Sequence, residues 1–331
     1  MSELDSGELY LGVDCGGTNL RAAAAGRDGR IVAELVVPTG DAAEREDGLG
    51  RAIRAVVRSL VLSLGPERRI AGVGVGLPFV CHEGRAYLCR NVKALDPGRL
   101  EADLRADHGA PAALLNDVKC AALGEEWLGA ARGASSFVFL NVGTGLSSAF
   151  YSGGRLLMGA HHAAGEIGYW VADAADPVGF AEGLGPLEES MSGVGISGAY
   201  RRAVAEAAAA AGAPAPVGAT GAPGAMGETI RAEEVFARAA AGDPVAARVV
   251  ERGVAHLLPA VANLATLLDP ELLVLGGGVS KGLAAHLGRL VSYVGRMTPF
   301  PPRIVLSALE GRAGLVGAVR LGMLAAEGRE P

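Results

Sequence analysis

Two stretches of this chain repeat one pattern: an apolar strand, a glycine-rich turn carrying a threonine, and a strand that returns. The first runs through Leu9–Val13, Asp14-Cys15-Gly16-Gly17-Thr18-Asn19 and Arg21–Ala25. The second runs through Ser136–Val142, Gly143-Thr144-Gly145 and Ser147–Tyr151. After the first, Asp28-Gly29 is a hairpin signal and Ile31–Val37 returns, so an antiparallel meander is expected. Glycines let backbone N–H groups approach a ligand closely, and such turns can cradle phosphate oxygens. Asp14, at the end of the first strand, could hold a water of Mg²⁺. Either turn alone could be an ordinary hairpin. Two of them point to two related domains facing a shared nucleotide.

The segments between them supply helices and one conspicuous strand end. Gly48–Leu64 reads as an amphipathic helix with Leu49, Ile53, Val56, Val57 and Leu60 on one face. Ile70–Leu77 is a buried strand closed by Pro78. Phe79–Pro97 then reads as irregular, with Asn91 in its middle, and a loop of that length is usually functional. After a helix at Leu100–Asp107, the apolar run Ala112–Leu115 stops at Asn116-Asp117 and an Ala-rich helical pattern begins. That is a strand, a cap and a helix. It sets Asp117 at a helix N-terminus at the carboxyl end of a strand, where open α/β sheets bind ligands. A cap and nothing more is the plainer reading of an isolated Asn-Asp.

Further along, His161 and His162 lie in a Gly-rich loop with Glu166, but adjacent histidines cannot share a helical face for a metal. Glu188 and Glu189 fall near a helix start, and Tyr200–Ala211 is an Ala-rich helix. Gly212–Gly227 is Ala/Gly/Pro-rich and carries no assigned chemistry. Asp243-Pro244 opens a long helix to Leu268, expected to break or kink near Pro259, with His256 as a packed residue. Leu272–Leu275 is a buried strand that Gly276-Gly277-Gly278 turns into another helix, and a last helical pattern spans Gly314–Ala326.

Composition narrows the partners. A chain of 331 residues suffices for two domains, and its net charge of −6 argues against nucleic acid or an anionic membrane. Its four cysteines form no Cys-x-x-Cys pair, which argues against a disulfide framework and a Cys-rich zinc site. No apolar run approaches the length of a membrane span, and the polar Met1–Glu8 does not read as a signal peptide. The expected location is the cytoplasm.

Asp14-Cys-Gly-Gly-Thr18, Asn116-Asp117, Gly143-Thr-Gly145, Gly165-Glu-Ile-Gly168 and Leu275-Gly-Gly-Gly-Val279, in this order, resemble the ROK family over about residues 9–325. The resemblance implies a two-domain actin-like ATPase (ribonuclease-H-like) α/β fold with a sugar/ATP cleft between the domains. Residues 1–117 with 312–331 would form the first domain and 118–311 the second. By the same likeness Asp117 is the general base for a sugar 6-hydroxyl. Asn116, Glu166, Glu188 and Asn91 would bind sugar hydroxyls, and Gly145 would lie beside the sugar. Gly16, Gly17, Thr18, Gly143 and Thr144 would hold phosphates, and Gly277 and Gly278 the adenosine, with Mg²⁺ through Asp14. A homodimer is also implied.

The departures from the family pattern concern the sugar wall. Family kinases carry Gly-Glu-x-Gly-His and then a Cys-x-Cys-Gly-x-x-Gly-Cys-x-Glu motif, whose His and three Cys bind a structural zinc. Here those positions are Tyr169, Gly179, Ala181 and Pro186. None is a thiol or imidazole, so no zinc is expected. Tyr169 can still donate a hydrogen bond to a sugar. Phe79, His162 and the Ser147-Ser148 pair also stand where glycines are usual. The expected activity is an ATP- and Mg²⁺-dependent hexose kinase. Glucose, or an amino-hexose such as kanosamine, glucosamine or an N-acetylhexosamine, would be the acceptor, and a non-catalytic sugar-binding sensor is the third reading. A repressor of the same family would need a helix-turn-helix ahead of the first turn, and eight residues precede the first strand, so a kinase is expected.

Overall fold

The computed structural model describes residues 7–40, 48–88, 95–171, 183–210, 212 and 230–331. Asn91, Gly179, Ala181 and the Ala/Gly/Pro-rich segment beyond Gly212 lie outside the described residues. In chain order the strands and helices begin with β1 (Glu8–Cys15), β2 (Asn19–Ala25), β3 (Ile31–Pro38), α1 (Gly48–Leu64) and β4 (Arg69–Leu77). Then come β5 (Val80–His82), β6 (Arg85–Tyr87), α2 (Pro97–His108), β7 (Ala112–Asn116) and α3 (Asp117–Leu128). The second half holds β8 (Ser136–Val142), β9 (Leu146–Ser152), β10 (Arg155–Leu156), α4 (Pro186–Met191) and α5 (Gly193–Ala210). It continues with α6 (Ala232–Ala240), α7 (Pro244–Leu268), β11 (Leu272–Gly276), α8 (Leu287–Met297), β12 (Arg303–Leu306) and α9 (Ala313–Ala326).

The strands form two five-stranded sheets of the same order, β3-β2-β1-β4-β7 and β10-β9-β8-β11-β12. In the first, β1–β2 and β2–β3 are antiparallel while β1–β4 and β4–β7 are parallel. In the second, β9–β10 is antiparallel while β8–β11 and β11–β12 are parallel. The repeated turn pattern in the sequence is thus the start of a repeated sheet.

By packing, the chain divides into two compact units. The first holds residues up to Ser135, Ala149–Ala164 and Ser307–Pro331, and the second holds Ser136–Ser148 and Gly165–Leu306. In the first unit, Ile53 and Val57 of α1 and Leu100 and Leu104 of α2 share a core with Leu11, Val13, Val73 and Val75 of the sheet. Tyr10, Ala23 and Ala25 pack with Leu315, Val319 and Met323 of α9. A Cβ on Gly12 or Gly74 would overlap the α9 backbone, so those positions let this helix lie directly on the sheet. α3 crosses α9 equally closely: a Cβ on Gly317 would overlap the Cys120 carbonyl. This contact keeps α3 in the first unit, and the chain passes to the second at Ser135 rather than after Asp117.

Local chemistry explains most element ends. Asp96 caps α2 by accepting from the Arg99 N–H at 2.9 Å, and Gly109 ends it in the left-handed region at φ 59°. Asp243 caps α7 through the N–H groups of Val245 and Ala246 at 2.8 and 3.1 Å. Of the break or kink expected near Pro259, the break is absent: α7 runs unbroken from Pro244 to Leu268, with Leu257, Leu258 and Val261 buried around the missing N–H. The segment after Pro78 is also more ordered than expected. β5 and β6 form a hairpin whose turn residues Glu83 and Gly84 both have positive φ, and Phe79 is buried. The helix expected after the Gly276-Gly277-Gly278 triplet is a 3₁₀ run, Gly278–His286, that leads into α8. Sequence reasoning did not resolve α6 or β12.

Candidate active site

The predicted site residues fall into two groups, one in each unit. In the first unit β7 delivers Asn116 and Asp117 to the start of α3. Asn116 is the cap, its Oδ1 accepting from Val118 and Lys119 N–H at 3.1 and 3.2 Å. Asp117 is the first helical residue, and its Oδ1 accepts from the Val118 N–H at 2.8 Å. Both neighbours thus accept from first-turn N–H groups, Asn116 from two of them and Asp117 from one. The positive end of α3 is a favourable place for that carboxylate's charge.

Asp14 belongs to the same group. It ends β1 opposite Gly76, and its carboxylate lies against the first turn of α9, where a Cβ on Gly314 would come within 2.9 Å of Oδ1. Burial raises the Asp14 carboxyl above the usual carboxylate range, and Arg21 pulls it partly back. Arg21 is itself held by the Gly311 carbonyl at 2.8 Å. Cys15 and Cys120 are fully buried, and burial, with Asp14 and Asp117 nearby, pushes both thiols well above their ordinary value. These thiols are packing groups beneath the two acids, not nucleophiles.

The turn after Asp14 is exposed at Gly16, Gly17 and Thr18. Thr39 holds its shape from behind: its Oγ1 donates to the Gly16 carbonyl at 2.9 Å and its N–H to the Thr18 carbonyl at 2.8 Å. No atom lies within 4 Å of where a Cβ on Gly17 would stand, so the turn is open on that side. Asp14 beside this opening suits Mg²⁺, which binds through one or two carboxylates together with phosphate oxygens and water.

In the second unit, β8 leads into Gly143, Thr144 and Gly145. The N-terminus of α5 docks on this turn, with Gly193 N–H donating to the Gly143 carbonyl at 2.7 Å and Val194 N–H to the Thr144 carbonyl at 3.2 Å. The helix thereby turns its positive end to the turn, an arrangement favourable to phosphate. Glu188, in the first turn of α4, reaches the other side of it. Its Oε1 accepts from the Leu146 N–H at 3.3 Å and lies 2.6 Å from where a Cβ on Gly145 would stand. Glu166 precedes a 3₁₀ turn, Ile167–Tyr169, in which the Tyr169 N–H donates to the Glu166 carbonyl at 3.3 Å. Gly168 in that turn sits against the Glu188 side chain, so Glu188 connects Gly145 with the turn that holds Glu166 and Tyr169.

Two of the residues that stand where family glycines are usual make hydrogen bonds within their own units, while the buried Ser147 Oγ has no partner among the described residues. Ser148 is fully buried, and its N–H and Oγ donate to the Gly165 carbonyl at 2.7 and 3.0 Å. His162, in the first unit, keeps a left-handed φ of 59° although it is not glycine, and its Nδ1 donates to the Cys81 carbonyl at 3.0 Å. Among the described residues no three or more His, Cys, Asp or Glu are arranged to hold a metal ion, and no helix is long and apolar enough to cross a membrane. Sequence reasoning missed Gly314, Thr39 and the Cys15–Cys120 floor. For Gly314 a local signal existed, a glycine in the first turn of a terminal helix.

Two like-ordered sheets with glycine-rich turns after their first strands define the actin-like, ribonuclease-H-like α/β ATPase fold. The chain belongs to the ROK family, whose family model matches residues 10–323. It is 31% identical over 284 residues to a glucokinase of Halalkalibacterium halodurans, covering 83% of this chain and 82% of that one. It is also 31% identical over 315 residues to an N-acetylmannosamine kinase of Citrobacter koseri, covering 94% and 97%. Among solved structures, a ROK family glucokinase from Streptomyces griseus in complex with glucose and AMPPNP matches with a TM-score of 0.74 and 27% identity, over 95% of this chain and 99% of that one.

Proposed function

We propose that this ROK-family sugar kinase transfers the γ-phosphoryl group of ATP to the 6-hydroxyl of glucose or a glucose-like hexose, with Asp117 as general base. The observation that carries the reading is Asp117 in the first turn of α3, next to the Asn116 cap and grouped with Asp14 over the buried Cys15 and Cys120. The sugar oxygen forms a bond to the γ-phosphorus as the bridging P–O bond breaks. ADP leaves with that electron pair, and the hydroxyl proton ends on the Asp117 carboxylate. A positioned base of this kind contributes about 10²–10⁴-fold.

The remaining residues position and neutralise. Gly17, Thr18 and Thr144 offer backbone and hydroxyl donors to the phosphates, Gly16 and Gly143 shape the two turns by donating to the Asn19 and Gly145 carbonyls at 3.0 Å, and Gly277 and Gly278 take the nucleoside. Asp14 would hold Mg²⁺, which supplies neutralisation of the transferring phosphoryl charge. Asn116, Glu166, Glu188, Gly145 and Tyr169, with Asn91, would border the sugar. A second acceptor class, an amino-hexose or N-acetylhexosamine, is favoured by the likeness to the N-acetylmannosamine kinase and by Tyr169 at the zinc-histidine position. Zinc has no role in this reading, and the protein would act as a homodimer, which light scattering checks.

A coupled ADP-release assay across glucose, glucosamine, kanosamine, N-acetylglucosamine and N-acetylmannosamine, with and without Mg²⁺, tests the proposal. Glucose or one amino-hexose should give Mg²⁺-dependent turnover. Sugar binding without ADP release on any of them would turn the protein into a sensor.

A further inference from the structure

β8 and β11 are parallel neighbours that end level with one another, Leu140 pairing with Leu275 and Asn141 with Gly276. The Gly143–Gly145 turn and the Gly277–Gly278 turn therefore open side by side at the carboxyl edge of one sheet. Gly277 has φ 89°, and a Cβ there would overlap the Val142 carbonyl, so the second turn is pressed against the end of β8. α6 borders the outer side of this turn. The Oε1 of Glu233, in the first turn of α6, stands 3.0 Å from where a Cβ on Gly278 would be.

The position of Glu233 is fixed by its helix. Phe236, one turn on, fills the space over Gly282 and meets the His286 ring edge-on at 6.5 Å, which docks α6 on the Gly278–His286 run. The neighbouring acid, Glu234, is engaged by Arg238 at 2.7 Å. Glu233 has no hydrogen-bond or ion-pair partner among the described residues. One carboxylate of the pair is thus satisfied within its helix, and the other is left at the rim of a glycine turn.

We propose that Glu233 accepts the ribose hydroxyls of the nucleotide and selects ribonucleotides over deoxyribonucleotides. The inference rests on reading the Gly277–Gly278 turn as the nucleoside loop. An ionised carboxylate offers acceptors only, so it repels phosphate and requires donors. The vicinal 2′- and 3′-hydroxyls present two O–H groups at a spacing that matches its two oxygens. Phosphates then belong at Gly143–Thr144, beneath the α5 N-terminus, and the ribose belongs one strand over at Glu233. The 6-amino group of adenine is also a donor, and the test separates the two.

Steady-state KM values for ATP, 2′-deoxy-ATP and ITP, and for the sugar, are compared in the full chain and in Glu233→Ala and Glu233→Gln. The parent should favour ATP over 2′-deoxy-ATP by about tenfold, the effect of losing one charge-assisted hydrogen bond. Glu233→Ala should erase that preference by raising the ATP value about tenfold more than the 2′-deoxy-ATP value, which loses only the 3′-hydroxyl contact, while the sugar value stays in place, and Glu233→Gln should restore it partly. An unchanged ATP value, an equal rise for ATP and 2′-deoxy-ATP, or a lost preference for ATP over ITP with the deoxy ratio intact would each overturn the proposal. If no sugar is phosphorylated, the kinase reading fails by itself. Calorimetric binding of ADP against 2′-deoxy-ADP in the same variants then decides the role of Glu233, and absence of any ADP binding overturns it.

Discussion

The two sheets share one strand order but not one chemistry. At equivalent places in their ladders stand Asp14, opposite Gly76, and Asn141, opposite Gly276. The helix after the first sheet's last strand opens with Asn116-Asp117, while the helix after the second sheet's last strand opens with Ala313-Gly314. That second helix start is not bare of acid: the Asp14 carboxylate lies against Gly314. Both acids of the repeat therefore belong to the first sheet, and each sits at a helix N-terminus. At the Asp14 position the second sheet has an amide, beside a turn capped by the start of α5. The repeat supplies two glycine-rich turns, and on the proposed reading the asymmetry gives the base and the metal-holding carboxylate to one half, while the acid beside the other half's turn, Glu188, comes from α4 rather than from the repeat.

Removing the acid from α3 should have the largest effect. Asp117→Asn keeps the shape and the cap, because Asn116 supplies the capping oxygen, so sugar binding should persist while turnover falls about 10²–10⁴-fold. Isothermal titration with sugar beside the ADP-release rate checks both halves of that statement. Near-parental turnover would remove Asp117 from the mechanism.

Next comes the ladder position itself. Asp14→Asn makes the two halves alike and should lower kcat/KM for Mg-ATP about 10–100-fold, with more Mg²⁺ needed for half-maximal rate. Asn141→Asp should raise the ATP KM about tenfold, since like charges about 5 Å apart cost about 3 kcal/mol at an effective dielectric near 20, before salt screening. The double variant exchanges the acid between the halves. Recovery of activity in it would show that the halves are interchangeable and end the argument from asymmetry.

What was legible in the sequence follows the same line. The first strand of each sheet and its Gly-Thr turn could be read because the signal is local: alternating apolar residues, then glycines. α1 could be read because Leu49, Ile53, Val56, Val57 and Leu60 recur at helical spacing, and all five are buried. The packing of α3 on α9 could not, since nothing near Gly124 announces Ala313 and Gly317 as its neighbours. β5, β6 and β12 are three or four residues long, too short for alternation to show. In the site, the residues that touch a turn in sequence were legible, Glu188 of α4 was named only through the family resemblance, and Thr39 and Glu233, which reach a turn from another element without a motif, were not.

A smaller effect is expected at the sugar wall of the second unit. By the family resemblance Tyr169 stands where an imidazole is usual, on a turn that abuts Glu188 through Gly168, so on the proposed reading Tyr169→His should change the ratio of kcat/KM between glucose and amino-hexoses by a factor of about ten or less, leaving the ATP value alone. Metal analysis of the purified chain should find no stoichiometric zinc before or after the change. A constant sugar ratio would show that this wall does not select.

The smallest effect concerns the outer helices, where each unit carries an arginine clamp. In the first, Arg54 of α1 holds Asp103 and Asp107 of α2 at 2.7 and 2.9 Å. In the second, Arg289 of α8 holds Glu251 of α7 at 2.5 Å. The hydrogen bond from Arg54 keeps the Asp107 carboxyl below its ordinary value. A carboxyl whose folded value is depressed contributes stability above its unfolded value and loses it as pH falls through the folded one. Arg54→Ala should therefore lower stability by no more than about 1 kcal/mol at pH 7, because the clamp is partly exposed and screened. The deficit should shrink below about pH 4, where the unfolded carboxyl begins to bind a proton. Thermal melts of the parent and Arg54→Ala from pH 7 down to the acid limit measure the gap. A gap that stays constant with pH would mean that Arg54 acts through packing of its stem rather than through its charge.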